Sequence, residues 1–161
     1  MSKEIVNEES QIRAGIEIML SGVRGIPNHL SQGAALAEGI AAQFQHKVKR
    51  ITLCALGGSA FPGNLLKVIT DPLSVPLHVS RSYEVAHAKL DQNDLVIACS
   101  FSGNTEESLS SLNDALQRGA QILIVSAGGK LEKLASQHQL PFIKLTKPTP
   151  TFQPRAAGMR L

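Results

Sequence analysis

The sequence predicts an α/β protein: a five-stranded parallel sheet, doubly wound in the flavodoxin-like manner, with helices on both faces. From Ile51 onward, short β-branched runs alternate with helical segments, the pattern of a parallel sheet whose two faces are both covered. The runs number five, which suits a flavodoxin-like doubly wound sheet. A length of 161 residues with 43% apolar content is enough for one ordinary domain and too short for two.

Before the sheet, Glu9 to Met19 and Pro27 to Gln45 read as helices, separated by the turn-like Ser21-Gly22 and Gly25. Pro27 falls near the first turn of the second, where its missing N–H costs nothing. The expected strands are Ile51 to Leu56, Val75 to Ser80, Leu95 to Ser100, Gln121 to Ser126 and Phe142 to Leu145. Between them, Asn64 to Ile69 reads as part of a helix. Thr105 to Arg118 is a stronger one, with Leu109, Leu112 and Leu116 at spacings of three and four and Gly119 as its stop signal. Lys130 to Gln137 is a short helix ended by Pro141. No internal repeat, low-complexity tract or linker interrupts the pattern, so the expectation is one domain over residues 26–161 behind a helical extension over 1–25.

Composition narrows the function. Sixteen Lys and Arg against thirteen Asp and Glu give only +3, unlike a dedicated nucleic-acid binder, and five Phe, one Tyr and no Trp leave few platforms on which bases could stack. Cys54 and Cys99 each lie inside an apolar run and form no CxxC pair, which argues for two small core side chains over zinc or a disulfide framework. No metal and no cofactor are expected. The N-terminus, MSKEIVNEESQ, is too charged for a signal peptide, and no apolar stretch reaches the roughly 18 residues of a membrane span, so the expected compartment is the cytoplasm. After Glu132 no acidic residue occurs, while Lys133, Lys144, Lys147, Arg155 and Arg160 follow; this end suits an anionic ligand, or is a solvated tail.

In a parallel sheet, ligands collect at the carboxyl ends of the strands. Two segments there are unusual. The first strand runs into Gly57-Gly58-Ser59-Ala60, where paired glycines allow a tight turn and close backbone approach and Ser59 supplies a hydroxyl. It is no dinucleotide fingerprint, because Ser59 and Ala60 stand where the second glycine is required in either register. Gly128-Gly129-Lys130-Leu131 likewise fails as a nucleotide P-loop, with Ile124 in place of the first glycine and Leu131 in place of Ser or Thr. The third strand ends in Ser100-Phe101-Ser102-Gly103-Asn104-Thr105-Glu106-Glu107, three hydroxyls and a glycine in the turn that opens a helix. Backbone N–H groups at a helix start, joined by such hydroxyls, make a neutral pocket for a phosphate dianion. The same turn also reads as helix capping by Asn104 or Thr105, with Glu106 and Glu107 at the positive end of the dipole. Capping needs only one of the hydroxyls.

The run Ser-Phe-Ser-Gly-Asn-Thr-Glu-Glu-Ser resembles the phosphate loop of the sugar isomerase (SIS) domain. In the same order, Leu56 to Ala60, Ser80 to Tyr83, Ala127 to Leu131 and Gln153 to Ala157 resemble the N-terminal half of bifunctional phosphoglucose/phosphomannose isomerases, from about Ile26 to Ala157. The helix start Ile26 to Leu30 is similar to that family's entry helix. The resemblance implies that Gly58, Ser59, Ser100, Ser102 and Thr105 hold a sugar phosphate, and that Arg155 lies beside the reacting carbons to stabilise an enediolate.

Aldose–ketose isomerisation also needs a base to move a proton between C1 and C2 and an acid/base to open the ring. In the family resembled, the Glu and His that do this belong to a second SIS half, and no residue here matches them. Glu106 and Glu107 would repel a phosphate and read as capping or solvent-facing; His78 reads as a core histidine, His87 as a loop residue near the carboxyl edge, and His29, His46 and His138 as helix surface. Arg81 and Tyr83 are rim contacts or pin their own loop. The expectations are therefore a phosphosugar-binding SIS domain, inactive or slow as an isolated chain, working as a homodimer or higher oligomer or with a second SIS chain. The alternatives are a non-catalytic phosphosugar sensor and a truncated remnant of a two-SIS isomerase.

Overall fold

The computed structural model describes residues 2–69, 75–85 and 89–146, with side chains from residue 9 onward and none at residue 69. Five strands, β1 (Arg50–Cys54), β2 (Leu77–Ser80), β3 (Asp94–Cys99), β4 (Gln121–Ser126) and β5 (Phe142–Lys144), form one sheet in the order β2-β1-β3-β4-β5. Every pairing is parallel, with Cys54 opposite both Ser80 and Ala98. The chain leaves β1 toward one edge and β3 toward the other, so a crevice opens between their carboxyl ends, the switch point of a doubly wound sheet.

Successive strand residues point to opposite faces. On one face Cys54, Val96, Ala98, Ile122 and Ile124 pack with Leu112 and Ala115 of α4 (Glu106–Gln117) and Leu131 and Ala135 of α5 (Gly129–His138). Leu112 and Leu131 are fully buried, and truncating either to Ala would cost about 2–5 kcal/mol. The side of α4 that meets the sheet also carries Ser108, Ser111 and Ala115, small enough for close approach, and the buried Ser108 hydroxyl donates to the Cys99 carbonyl at 3.2 Å. On the other face Leu53, Val79 and Cys99 are buried; α3 (Phe61–Ile69) packs on β2 and α2 (Ile26–Ala37) reaches β5. At the amino ends, the buried Asp94 carboxylate accepts from Arg50 at 2.7 Å and from the Asp91 N–H at 2.8 Å, tying β1 to β3.

Four sequence expectations shift. The helix expected over Pro27 to Gln45 stops at Ala37, because Gly39 turns left-handed at φ 76°, and a short 3-10 turn over Ile40–Gln43 follows. Strand β2 begins at Leu77 and not Val75, since Pro76 has no N–H to give the ladder; its carbonyl still accepts from the Ile51 N–H at 3.0 Å. His46, expected on a helix, lies in the loop before β1, where Gln121 bonds its N–H at 3.1 Å and its carbonyl at 3.0 Å. Helix α1 (Ser2–Arg24) extends past the expected Glu9 to Met19 at both ends.

The loop after β3 interlocks with the loop after β4. Gly103 has φ 70° and lies so close to Gly128 that a Cβ would run into the Gly128 carbonyl oxygen; a Cβ on Gly129, φ 79°, would run into the Ser102 carbonyl oxygen. Across this contact the Ala127 N–H donates to the Phe101 carbonyl at 3.1 Å and the Leu131 N–H to the Gly103 carbonyl at 3.0 Å. The Asn104 side-chain oxygen accepts from the Lys130 N–H at 3.1 Å, so Asn104 satisfies a first-turn donor of α5.

Gly103→Ala should cost at least about 2 kcal/mol, a fall of roughly 4–8 °C in Tm for a domain of this size, from left-handed strain plus the clash. Gly58→Ala, at an ordinary φ and facing open space, should stay within about 0.5 kcal/mol. Thermal unfolding by circular dichroism compares them, and equal Tm values would contradict the interlock. A second expectation concerns pH. Burial pushes the Cys54 thiol from the ordinary 9.0 up to about 11; a hydrogen bond with Ser111 acts against this and the Asp114 charge adds to it. The unfolded chain loses this proton near pH 9 while the folded one keeps it, so the thiol's contribution is intact below pH 9 and disappears by about pH 11. The difference is on the order of 2–3 kcal/mol. Urea titrations at pH 8 and pH 10.5 should show wild type losing more stability than Cys54→Ala over that interval; equal losses would contradict the shift.

Candidate functional site

The crevice between β1 and β3 is framed by the two loops that sequence singles out. In register, Leu56 and Ser100 follow the paired Cys54 and Ala98 by two residues each, so Gly57–Ser59 and Ser100–Thr105 leave adjacent central strands at the same level. Three hydroxyls converge in the second loop. Ser100 Oγ lies 2.7 Å from Thr105 Oγ1 and 3.4 Å from Ser102 Oγ, and it also accepts from the Gly103 N–H at 3.2 Å.

Thr105 occupies the N-cap position of α4, with extended φ −65° and ψ 122°, yet its side chain makes no capping hydrogen bond. Its hydroxyl turns to Ser100, and Asn104 turns to α5. Neither residue caps α4 as expected for simple capping, and the first-turn N–H groups lack a side-chain cap while facing the positive end of the helix dipole. The hydroxyls differ in access. Ser100 is 2% exposed, whereas Ser102 is exposed and Thr105 half-buried. Ser100 therefore organises the loop from beneath, and Ser102 and Thr105 present the outer oxygens. Ser102 Oγ also accepts from the Asn104 N–H at 3.3 Å.

In the first loop, Gly57 is the glycine that the backbone requires, at φ 55°, while Gly58 is exposed, with open space where a Cβ would stand. Ser59 is half-buried. It also borders an apolar cavity of about 400 Å³ between α2, α3 and the sheet, lined by residues such as Leu30, Ala34, Leu66, Ile97 and Ile143. That cavity contains none of Ser100, Ser102 and Thr105 in its lining, so cavity and hydroxyl cluster are different places.

Helix α4 also fixes the rim. Ser111 Oγ donates to the Ser82 carbonyl at 3.0 Å, the Val85 N–H donates to Asp114 Oδ2 at 2.9 Å, and Arg118 Nη1 spans Asp114 at 2.9 Å and the Val85 carbonyl at 3.3 Å. One helix thus holds the hydroxyl loop at its start and the loop after β2 along its side. Ser111, Asp114 and Arg118 were not legible as site supports, because the apolar spacing of α4 draws attention to its leucines. With the rim pinned through its backbone, Arg81 and Tyr83 are left exposed at the carboxyl edge.

The remaining expected residues fall as follows. Arg155 and His87 lie outside the described residues, as do Lys147 and Arg160. Lys144 pairs with Glu132 at 2.7 Å. Glu106 is exposed, and His78 is half-buried in β2. Cys54 and Cys99 are free, buried thiols on opposite faces of the sheet. Among the described residues no group of three or more His, Cys, Asp or Glu could hold a metal ion, and no helix is long and apolar enough to cross a membrane.

Comparison with known proteins bears on this geometry. A bifunctional phosphoglucose/phosphomannose isomerase of Caldicellulosiruptor bescii is 38% identical over 141 residues, 86% of this chain and 40% of the relative. This chain therefore spans less than half the length of that curated relative. Among solved structures, the Vibrio vulnificus NanR protein complexed with ManNAc-6P superposes with a TM-score of 0.64 at 17% identity, over 88% of this chain and 56% of that one. A hypothetical protein of Methanococcus jannaschii, whose structure was described as inferring a 3-hexulose-6-phosphate isomerase, gives 0.58 at 17% identity over 86% of this chain and 84% of that one. At such identities the likeness is one of fold. The SIS domain family matches residues 45–154, the span that holds the whole sheet and both loops, and this chain belongs to that family.

Proposed function

We propose that this chain binds a phosphorylated sugar in the β1/β3 crevice, with the phosphate on the loop Ser100 to Thr105. The observation that carries this reading is Thr105, an N-cap residue whose hydroxyl bonds Ser100, which in turn meets Ser102, and leaves α4 without a side-chain cap. Ser102, Thr105 and the first N–H groups of α4 would hold the phosphate oxygens, with Ser100 beneath them and Gly58 and Ser59 across the crevice. Hydrogen bonds to a charged group contribute roughly 1.5–3 kcal/mol each, so four or five offset a binding cost of about 4–15 kcal/mol. The SIS unit on this reading is residues 26–161, behind the helical extension 1–25, and its proposed compartment is the cytoplasm.

The related chemistry is aldose–ketose isomerisation of glucose 6-phosphate or mannose 6-phosphate, the substrates named by the bifunctional relatives. In that role Arg155 would stabilise the enediolate oxygen. The base and the ring-opening acid would come from another SIS unit, so the chain is proposed to act as a homodimer or higher oligomer, or beside a second SIS chain. Binding without conversion is the second reading. It is favoured by the hydroxyl cluster itself, whose side-chain oxygens bond, among the described residues, hydroxyls and backbone N–H groups and no carboxylate or imidazole.

Ser102→Ala and Thr105→Val should each weaken glucose 6-phosphate binding by about 1.5–3 kcal/mol, roughly tenfold to a hundredfold, with little change in Tm. Ser100→Ala should lower affinity and Tm together, because it also removes the support beneath the loop. Titration calorimetry showing unchanged affinity in all three would remove the phosphate assignment. The isolated chain should convert glucose 6-phosphate to fructose 6-phosphate far more slowly than the typical enzyme rate of about 10 per second. A coupled assay reaching that rate would show that it needs no other unit.

A further inference from the structure

The start of α5 carries a charge that the helix itself does not use. Lys130 stands in its first turn, exposed, and the ammonium makes no hydrogen bond or ion pair among the described residues. A cation there faces the positive end of the helix dipole, where carboxylates are the favoured residues. No carboxylate of α5 relieves it. The positions three and four residues on, which share a helix face with Lys130, are Lys133 and Leu134. Glu132, two residues on, accepts instead from Lys144 at 2.7 Å. A local misfit of this kind, in a helix otherwise consistent with its surroundings, points to a use outside the helix.

The fold sets Lys130 against the hydroxyl loop. Its backbone N–H donates to the Asn104 side-chain oxygen at 3.1 Å, and the preceding Gly129 lies so close to the loop that a Cβ would run into the Ser102 carbonyl oxygen. Strand β4 pairs directly with β3, so α4 and α5 begin side by side at the carboxyl edge. Without a cation, the charge balance there is unfavourable for an anion. Ser100, Ser102 and Thr105 are neutral, while Glu106 and Glu107 in the first turn of α4 carry two negative charges. Arg81, which also lacks an ion pair among the described residues, follows β2, and β1 separates that strand from β3. We infer that Lys130 supplies the counter-charge for the phosphate on the loop Ser100 to Thr105, its ammonium reaching over Ser102 from the start of α5. This role rests on the phosphate reading above and adds a cation to it. Lysine suits the task as a point charge on a flexible stem, which needs no fixed geometry to approach a phosphate oxygen. Two helix starts and one ammonium then offset Glu106 and Glu107 around the bound anion.

Titration calorimetry of the full chain with glucose 6-phosphate and, separately, with inorganic phosphate tests this. Lys130→Gln should bind both about five- to tenfold more weakly than wild type at about 20 mM salt, and the gap should narrow at about 300 mM, because an exposed charge is screened. Lys130→Arg should keep most of the affinity, since it keeps the charge. Without ligand, Lys130→Gln should melt no lower than wild type, because it removes a cation from the positive end of α5. A Tm that falls together with affinity would make Lys130 a support of the loop and overturn the proposal. Lys130→Gln binding as tightly as wild type, or Lys130→Arg binding as weakly as Lys130→Gln, would overturn it and leave the hydroxyl site standing. A wild type that binds neither probe would overturn the hydroxyl site and the role of Lys130 together.

Discussion

The contact on which the site depends is the interlock of the loops after β3 and β4. Gly103 and Gly129, both left-handed, allow the two backbones to approach more closely than any side chain would permit, and Asn104 closes the contact by bonding the first turn of α5. That contact sets where α4 begins. Because α4 begins there, Thr105 faces Ser100, and the hydroxyls meet at the positive end of a helix dipole with no carboxylate among them. Two left-handed glycines and three cross-loop hydrogen bonds constrain this turn more than joining a strand to a helix requires. That constraint suits a loop that must keep one shape for an anion.

The same helix links the site to the rest of the fold. Through Ser111, Asp114 and Arg118, α4 carries the loop after β2, and through Leu112 and Ala115 it anchors in the deeper core. Displacing α4 would therefore move the hydroxyl loop and the rim together. The other face of the sheet is built differently. Ile97, Val125 and Ile143 are only half-buried beneath α2 and α3, and an apolar cavity remains there, with Leu30 of α2 in its lining. Rigidity is concentrated on the α4/α5 face, and uncovered apolar surface on the α1/α2 face.

The fold was largely legible because its signals are local. The β4 bounds agree with the expected Gln121 to Ser126, and the strand order agrees with a flavodoxin-like sheet. Misreadings arose where a single residue overrode a longer pattern, as Gly39 did in ending α2 and Pro76 in delaying β2. The site was legible in residue types and not in roles. Ser, Ser and Thr in one turn pointed to an anion, but which hydroxyl is buried depends on how Ser100 leaves β3. Asn104 read as a cap for the helix that follows it. It caps α5 instead, 26 residues on from the viewpoint of the Lys130 N–H, and no local pattern encodes that. Helix α1 was legible as a helix over Glu9 to Met19, whereas its exposure required the fold.

The most direct measurement of the central claim is backbone amide NMR of the chain titrated with glucose 6-phosphate. The account predicts that the largest saturable shifts fall on the amides of Ser102 to Ser108 and of Gly57 to Ser59, from the two loops of one crevice. Shifts confined to the residues lining the α2/α3 cavity, or no saturable shifts at millimolar sugar phosphate, would contradict it.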